Sequence, residues 1–248
     1  MTVQKILDFL SARFPLESAC DFDNVGLLIG DPAAKVGKAL VLLDCDLAAI
    51  DTAVSWGCSL IITHHPVIFD PLKNIFSGSV PYQLIKNNIA VISMHTNLDV
   101  GVGGVNDCLC DRLGLVNVAS VPAQDGYLLR MGEIAPVTAD DFAVRLKAKL
   151  GGAVKYVGAG KTIKKVLVCS GSGGNFLDEV RRFDCDALVT ADVKHNYFLA
   201  AGDMDVALFD AGHFETENVV VEPLRELLAN EFADVEWLSA NCSKIKIV

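Results

Sequence analysis

Lys38-Ala39-Leu40-Val41, Ile50-Asp51 and Cys58-Ser59-Leu60-Ile61-Ile62-Thr63 recur as Lys165-Val166-Leu167-Val168, Leu177-Asp178 and Cys185-Asp186-Ala187-Leu188-Val189-Thr190. Segments 38–63 and 165–190 align without a gap at a step of 127 residues. Each reads strand, helix, strand. Chance likeness of two buried strands explains Leu-Ile-Ile against Leu-Val-Val, but not the matched Lys, Cys and Thr. The next strands also correspond, residues 90–95 against 208–213, and each ends in a histidine followed four residues later by an acid: His95 with Asp99, His213 with Glu217. The expected fold is therefore α/β, with two similar α/β/α units arising from internal duplication. The expected bounds are 1–125 and 126–248.

Composition narrows the functional class. The 248 residues are 52% hydrophobic with a mean hydropathy of +0.39, yet no apolar run approaches the ~18 residues of a membrane helix. Short apolar runs fit strands buried on both faces and an apolar subunit interface. A net charge of −10 argues against a track for nucleic-acid phosphates. An anionic small molecule stays compatible, because bound metal reverses the local field. The eight cysteines show no Cys-x-x-Cys pattern, with Cys108 and Cys110 the closest pair. Without a signal-peptide pattern they read as reduced and mostly packed, in a cytoplasmic chain.

Val3, Ile6, Leu7, Leu10 and Phe14 have helical spacing, and Pro15 ends the run. Asp23-Asn24-Val25-Gly26 reads as a turn before a strand at Leu27-Leu28-Ile29. Residues 127–134 read as a strand. Residues 138–150 read as a helix capped by Thr138, with Asp140 and Asp141 in its first turn. The glycine-rich segment 151–162 is expected to link the halves.

His64 and His65 follow the run Ser59-Leu60-Ile61-Ile62-Thr63 at once, so with His95 and His213 the motifs use four of the five histidines. Imidazole and carboxylate together suit Zn, Mn, Fe and related divalent ions. Successive strand residues point to opposite faces, so His64 and His65 share a site only if the strand has ended at Thr63; Pro66 supports a turn there. The site then lies at the carboxyl edge of a sheet, where open α/β folds bind ligands. The i, i+4 pairs lie on one face if helical. Any one of these motifs alone is usually an inert surface pair; their placement after corresponding sheet edges is what makes the joint reading.

The residues Asp23-Asn24-Val25-Gly26-Leu27, Thr63-His64-His65-Pro66 with Phe69 and Lys73, His95-Thr96-Asn97-Leu98-Asp99, and Gly212-His213 with Glu217 resemble the Nif-three-like family, whose members are often labelled GTP cyclohydrolase I type 2 homologues. The resemblance runs from the first helix to the last. It implies an intertwined duplicated fold, a dinuclear metal centre and a ring-shaped homohexamer. It implies His64, His65, Asp99, His213 and Glu217 as ligands, with His95 as a neighbour that orients ligands or substrate.

Ala191 and Asp192 stand where the first copy has His64 and His65, so the second copy lacks that ligand pair. His195, three residues on, is a candidate general acid/base; the plainer reading is a hydrogen-bonded residue at a helix start. Cys169-Ser170-Gly171-Ser172-Gly173-Gly174-Asn175 is either an anion cradle or a tight turn between strand and helix, the turn being preferred. Lys73 is either a phosphate contact or a solvated lysine. The expected activity is hydrolysis of a small nucleotide-like substrate by two divalent ions (Zn, Fe or Mn), with His95 or His195 moving protons. The rival expectations are a non-catalytic metal-binding assembly or regulatory protein, and a metal carrier.

Overall fold

Thr2 caps the first helix, α1 (Val3–Arg13), by accepting from Lys5 N–H, and Val3, Ile6 and Leu10 form its buried face. In the computed structural model, which describes residues 1–240 and 245, α1 is followed by β1 (Gly26–Ile29), β2 (Lys38–Leu42), α2 (Leu47–Trp56), β3 (Leu60–Thr63), α3 (Val80–Lys86), β4 (Ala90–Ser93) and the short α4 (Thr96–Val100). Asp46 caps α2 by accepting from Ala49 N–H, and Gly57 ends it at φ 72°.

The chain then builds a second unit from α5 (Val105–Leu113), β5 (Val116–Pro122), β6 (Leu128–Thr138), α6 (Ala139–Leu150), β7 (Lys155–Val157), β8 (Thr162–Ser172), α7 (Leu177–Arg182), β9 (Ala187–Ala191), α8 (His195–Asp203), β10 (Ala207–Asp210) and α9 (His213–Glu217). Thr138 caps α6 as its sequence predicts, accepting from Asp141 N–H. The last elements, α10 (Val221–Glu231) and β11 (Glu236–Ser239), return to the first unit.

Among the described residues, unit 1 is Met1–Gly104 with 220–240, and unit 2 is Val105–Val219 with Ile245. These bounds differ from 1–125 and 126–248. Sequence repetition marks the duplication, whereas compactness follows packing: α5 packs on β6 and β8, and α10 packs on β2 and β11. The segment 151–162 does not link halves. It lies inside unit 2 and contains β7, which pairs antiparallel with β10.

The sheet of unit 1 has the order β1-β4-β3-β2-β11, and that of unit 2 the order β5-β6-β8-β9-β10-β7. Their centres are copies. Ala39 to Leu42 pair in parallel with Leu60 to Thr63, and Val166, Leu167 and Val168 pair with Ala187, Leu188 and Val189; every partner is displaced by the same 127 residues. An antiparallel strand borders each triplet, β1 on β4 and β7 on β10. The cores match too. Leu40, Leu42, Ile61 and Val91 pack in one cluster, and their counterparts Leu167, Cys169, Leu188 and Leu208 in the other. Alternate residues Ala39, Val41, Leu60 and Ile62 are also buried, so these parallel strands are covered on both faces.

The third strands correct the sequence alignment by one residue. Leu60 pairs with Ala90 and Ala187 with Ala207, so Ser93 answers to Asp210. Met94 N–H donates to Thr63 and Ala211 N–H to Thr190. Gly212, at φ 89°, is the extra residue before His213. Burial pushes the Cys110 thiol up to about 12 and Cys185 up to about 11, which makes them packing groups and not nucleophiles. Among the described residues no helix is long and apolar enough to cross a membrane.

Candidate metal centre

In unit 1, β3 stops at Thr63, and His64 and His65 continue as a bend whose N–H groups donate to Leu42 and Leu43 carbonyls at 3.3 and 3.1 Å. The bend lets both rings share one region: the His64 and His65 centroids lie 4.9 Å apart. His95, at the end of β4, joins them at 5.0 Å from His64 and 5.5 Å from His65. One ring nitrogen from each of the three lies within 4.8 Å of the others.

Each imidazole is held through Nδ1. His64 Nδ1 lies 3.0 Å from the Met94 carbonyl, His65 Nδ1 2.7 Å from Asp44 Oδ1, and His95 Nδ1 2.9 Å from Asp23 Oδ1. Carbonyl and carboxylate oxygens only accept, so Nδ1 carries the proton and donates. Nε2 is then the ring atom with a lone pair for a cation, the tautomer that outer carboxylates enforce in metal sites. Asp99, on α4, adds a buried carboxylate with Oδ1 3.5 Å from His64 Nε2. Asp23 is a fixed anion. Burial alone would raise its carboxyl, but hydrogen bonds from His95 and Thr96 outweigh that and hold it well below the usual carboxylate range.

Unit 2 presents a second donor set. Gly212 starts α9, which places His213 and Glu217 one turn apart. His213 Nδ1–H donates to Asp192 Oδ2 at 2.7 Å, and His213 Nε2 lies 3.0 Å from the buried Glu217 Oε2. The hydrogen bond to Glu217 and its charge, with help from Asp192, outweigh burial and raise His213 to about 9. The pair thus offers an imidazole nitrogen and a carboxylate oxygen side by side. Asp192 answers to His65 in the repeat, so the second copy has an aspartate that holds His213 where the first has a histidine. Gly171, at φ 59°, lies beside Glu217, and a side chain there would collide with Oε1. Thr216 Oγ1 accepts from Gly171 N–H at 3.1 Å.

The remaining sequence candidates fall elsewhere. His195 is the first residue of α8, and it lines an open cavity of about 440 Å³ with Lys155, Val193 and Phe198. Among the described residues it is not one of those whose donor atoms converge. Cys169–Ser172 belongs to β8, followed by a single 3-10 turn and the six-residue α7, a short strand-to-helix connection of the kind its sequence preferred. Lys73 is exposed on the loop after the His-His bend. Asp44 escaped the sequence reading, and Asp23, Asp192 and Gly171 were noted there without the supporting roles they have here. Their only signal was position, each lying at a turn or near a strand end.

The family model for Duf34/NIF3 (NGG1p interacting factor 3) matches residues 1–246. The chain belongs to the Duf34/NIF3 family. A relative from Clostridium acetobutylicum, named GTP cyclohydrolase 1 type 2 homolog, is 33% identical over 230 residues, covering 88% of this chain and 85% of that one. The crystal structure of a hypothetical protein from Staphylococcus aureus matches with a TM-score of 0.94 and 28% identity, over 100% of this chain and 99% of that one. Reduced HcgD from Methanocaldococcus jannaschii matches with a TM-score of 0.83 and 27% identity, over 98% of each. This NIF3 chain thus has the duplicated α/β fold of its relatives and His, Asp and Glu groups arranged to hold metal.

Proposed function

We propose that this NIF3 protein is a metal-dependent hydrolase acting on a small nucleotide-like substrate, with two divalent ions (Zn, Fe or Mn) per chain. The observation that carries it is the uniform anchoring of His64, His65, His95 and His213 through Nδ1, which commits Nε2 of each ring to a cation or to proton transfer. The ligands in this reading are His64, His65, Asp99, His213 and Glu217. Such ions, when bound, supply Lewis acidity and lower the pKa of water toward neutrality. The chain orients the donors through Asp44 and Asp192. Asp23 holds His95 in one tautomer, with Nε2 able to accept a proton from water or return one to a leaving group. His195 is the second proton-transfer candidate. The name borne by the relatives, GTP cyclohydrolase 1 type 2 homolog, points to a purine nucleotide, whose five-membered ring water would open with release of formate. The assembly is proposed as a ring-shaped homohexamer in the cytoplasm.

The test uses metal-quantified protein. Elemental analysis should return two ions per chain under saturating metal, and a nucleotide screen beginning with GTP should give metal-dependent turnover. His195→Ala distinguishes the two proton carriers: unchanged turnover leaves His95. A second reading, a non-catalytic metal-binding regulatory protein, is supported by the family's name as an interacting factor. Full metal loading without turnover on any screened compound would favour it.

A further inference from the structure

The two copies of the repeat differ most in one connection. Unit 2 passes from β9 to α8 through Asp192, Val193 and Lys194, whereas unit 1 uses residues 64–79 to pass from β3 to α3. The long connection carries no helix or strand. It nevertheless exposes Phe69, Leu72, Ile75 and Phe76. A long irregular loop inside a compact unit is more often a binding loop than a structural one.

Phe69 ties this loop to the histidines. Its ring meets His95 edge-on, with centroids 6.2 Å apart and planes at 84°. Phe22 lies beside Phe69, with centroids 6.2 Å apart and planes at 48°. It is 67% exposed and directly precedes Asp23, the residue that holds His95. Two neighbouring exposed aromatic rings therefore border the donor cluster. Aromatic rings associate at centroid distances of about 4.5–7 Å, so a ligand reacting at the histidines has a π surface within reach of its remaining atoms.

We propose that Phe22 and Phe69 form an aromatic ledge that binds the planar heteroaromatic ring of the substrate, the base of a nucleotide, beside the metal centre. The inference rests on the nucleotide-like reading given above and names the residues that select it. Exposed Lys73, on the same loop, supplies positive charge suited to an anionic substituent. An aliphatic ligand would gain little from two phenyl faces over leucines, whereas a flat ring gains stacking at either face. The alternative occupant, a second copy of this chain, would cover the ring edge that borders His95.

The experiment titrates metal-loaded protein with guanosine 5′-monophosphate and with ribose 5-phosphate, which lacks the ring. Wild type, Phe22→Ala, Phe69→Ala and the conservative Phe22→Tyr are compared, with metal content and oligomeric state recorded for each. Stacking on one aromatic side chain predicts a loss of about tenfold or more in guanosine 5′-monophosphate affinity for each alanine variant. Binding of ribose 5-phosphate, metal content and oligomeric state should not change, and the tyrosine variant should bind like wild type. Equal affinity of wild type for the two probes, no binding of either, or guanosine 5′-monophosphate binding untouched by both alanine variants overturns the inference. An alanine variant that dissociates the assembly also overturns it, because the ledge is then a subunit contact. A wild type that takes up no metal refutes the metal-centre reading instead, and is recognised before any nucleotide is added.

Discussion

Replacing Gly171 with alanine separates the role of Glu217 from the stability of unit 2. Gly171 sits in β8 where the ladder to β9 slips register between Val168 and Ser172, and its φ of 59° is left-handed. That backbone costs an alanine roughly 1–2 kcal/mol. The new methyl would overlap Glu217 Oε1 and lie 3.1 Å from its carboxyl carbon, against about 3.5–4.0 Å for a relaxed carbon contact. The carboxyl group must then retreat by at least about 0.5 Å, beyond the tolerance of about 0.2 Å for a metal ligand. A glutamate can move that far by changing rotamer, so the fold survives. Metal affinity should fall by about 100-fold or more, the upper end of what loss of a supporting group causes. Gly160→Ala is the control: it has φ 76° and nothing within 4 Å of the added carbon, so it carries the backbone cost alone. Competition against a chromophoric chelator would measure affinity, and thermal unfolding would measure stability. Gly171→Ala and Glu217→Gln should each weaken binding, and the double variant should be no worse than the poorer single one. Wild-type affinity in Gly171→Ala, with stability lowered as in Gly160→Ala, would refute Glu217 as a ligand.

Three further outcomes are expected. His213 carries a proton below about 9, which a metal must displace; affinity should rise with pH up to that value and level off above it, with proton release detected by calorimetry in buffers of different ionisation enthalpy. Asp44→Asn and Asp192→Asn remove the charge behind His65 and His213, and each should lower metal affinity about 10–100-fold while the far-ultraviolet circular dichroism spectrum stays the same; Asp192, at φ 51°, tolerates asparagine because that residue also adopts left-handed backbone. Asp107→Ala leaves the buried Arg130 guanidinium without its carboxylate, and urea unfolding should show a loss of about 3 kcal/mol, the low end for a buried pair because Asp107 is 23% exposed.

The parts of the structure legible in the sequence were those written by local pattern. Strands β2, β3, β8 and β9 keep apolar runs between fixed Lys, Cys and Thr positions, so both the duplication and its register could be read from them. The end of β3 showed where His64 and His65 could share a region, and the i, i+4 spacing put His95 with Asp99 and His213 with Glu217 on one face if helical, which α4 and α9 make them. Illegible were the contacts that span long separations with common residues. Asp23 meets His95 across 72 residues, and Asp44 meets His65 across 21; Asp44 does not differ in sequence from a solvated turn acid, and the motif that contains Asp23 does not name its partner. The register of β10 was misread because Gly212 adds one residue after the strand, where no pattern of alternation counts it. Strand β7 was hidden by its three-residue length among glycines. The membership of β11 in the first sheet depends on a parallel pairing of Trp237 with Ala39 and Leu238 with Leu40, which no local signal announces.

That last pairing sets an order on synthesis. Strands β1 to β4 leave the ribosome early, yet the outer edge of β2 has no neighbour until residues 236–239 have been made. The sheet begun first is the one completed last, with all of unit 2 translated in between. During that interval β2 presents an unpaired strand edge, the feature most prone to pairing with another chain. A nascent chain stalled after unit 2, or a product cut short before Glu236, should therefore depend on chaperones and enter inclusion bodies, although every proposed metal donor has already been synthesised.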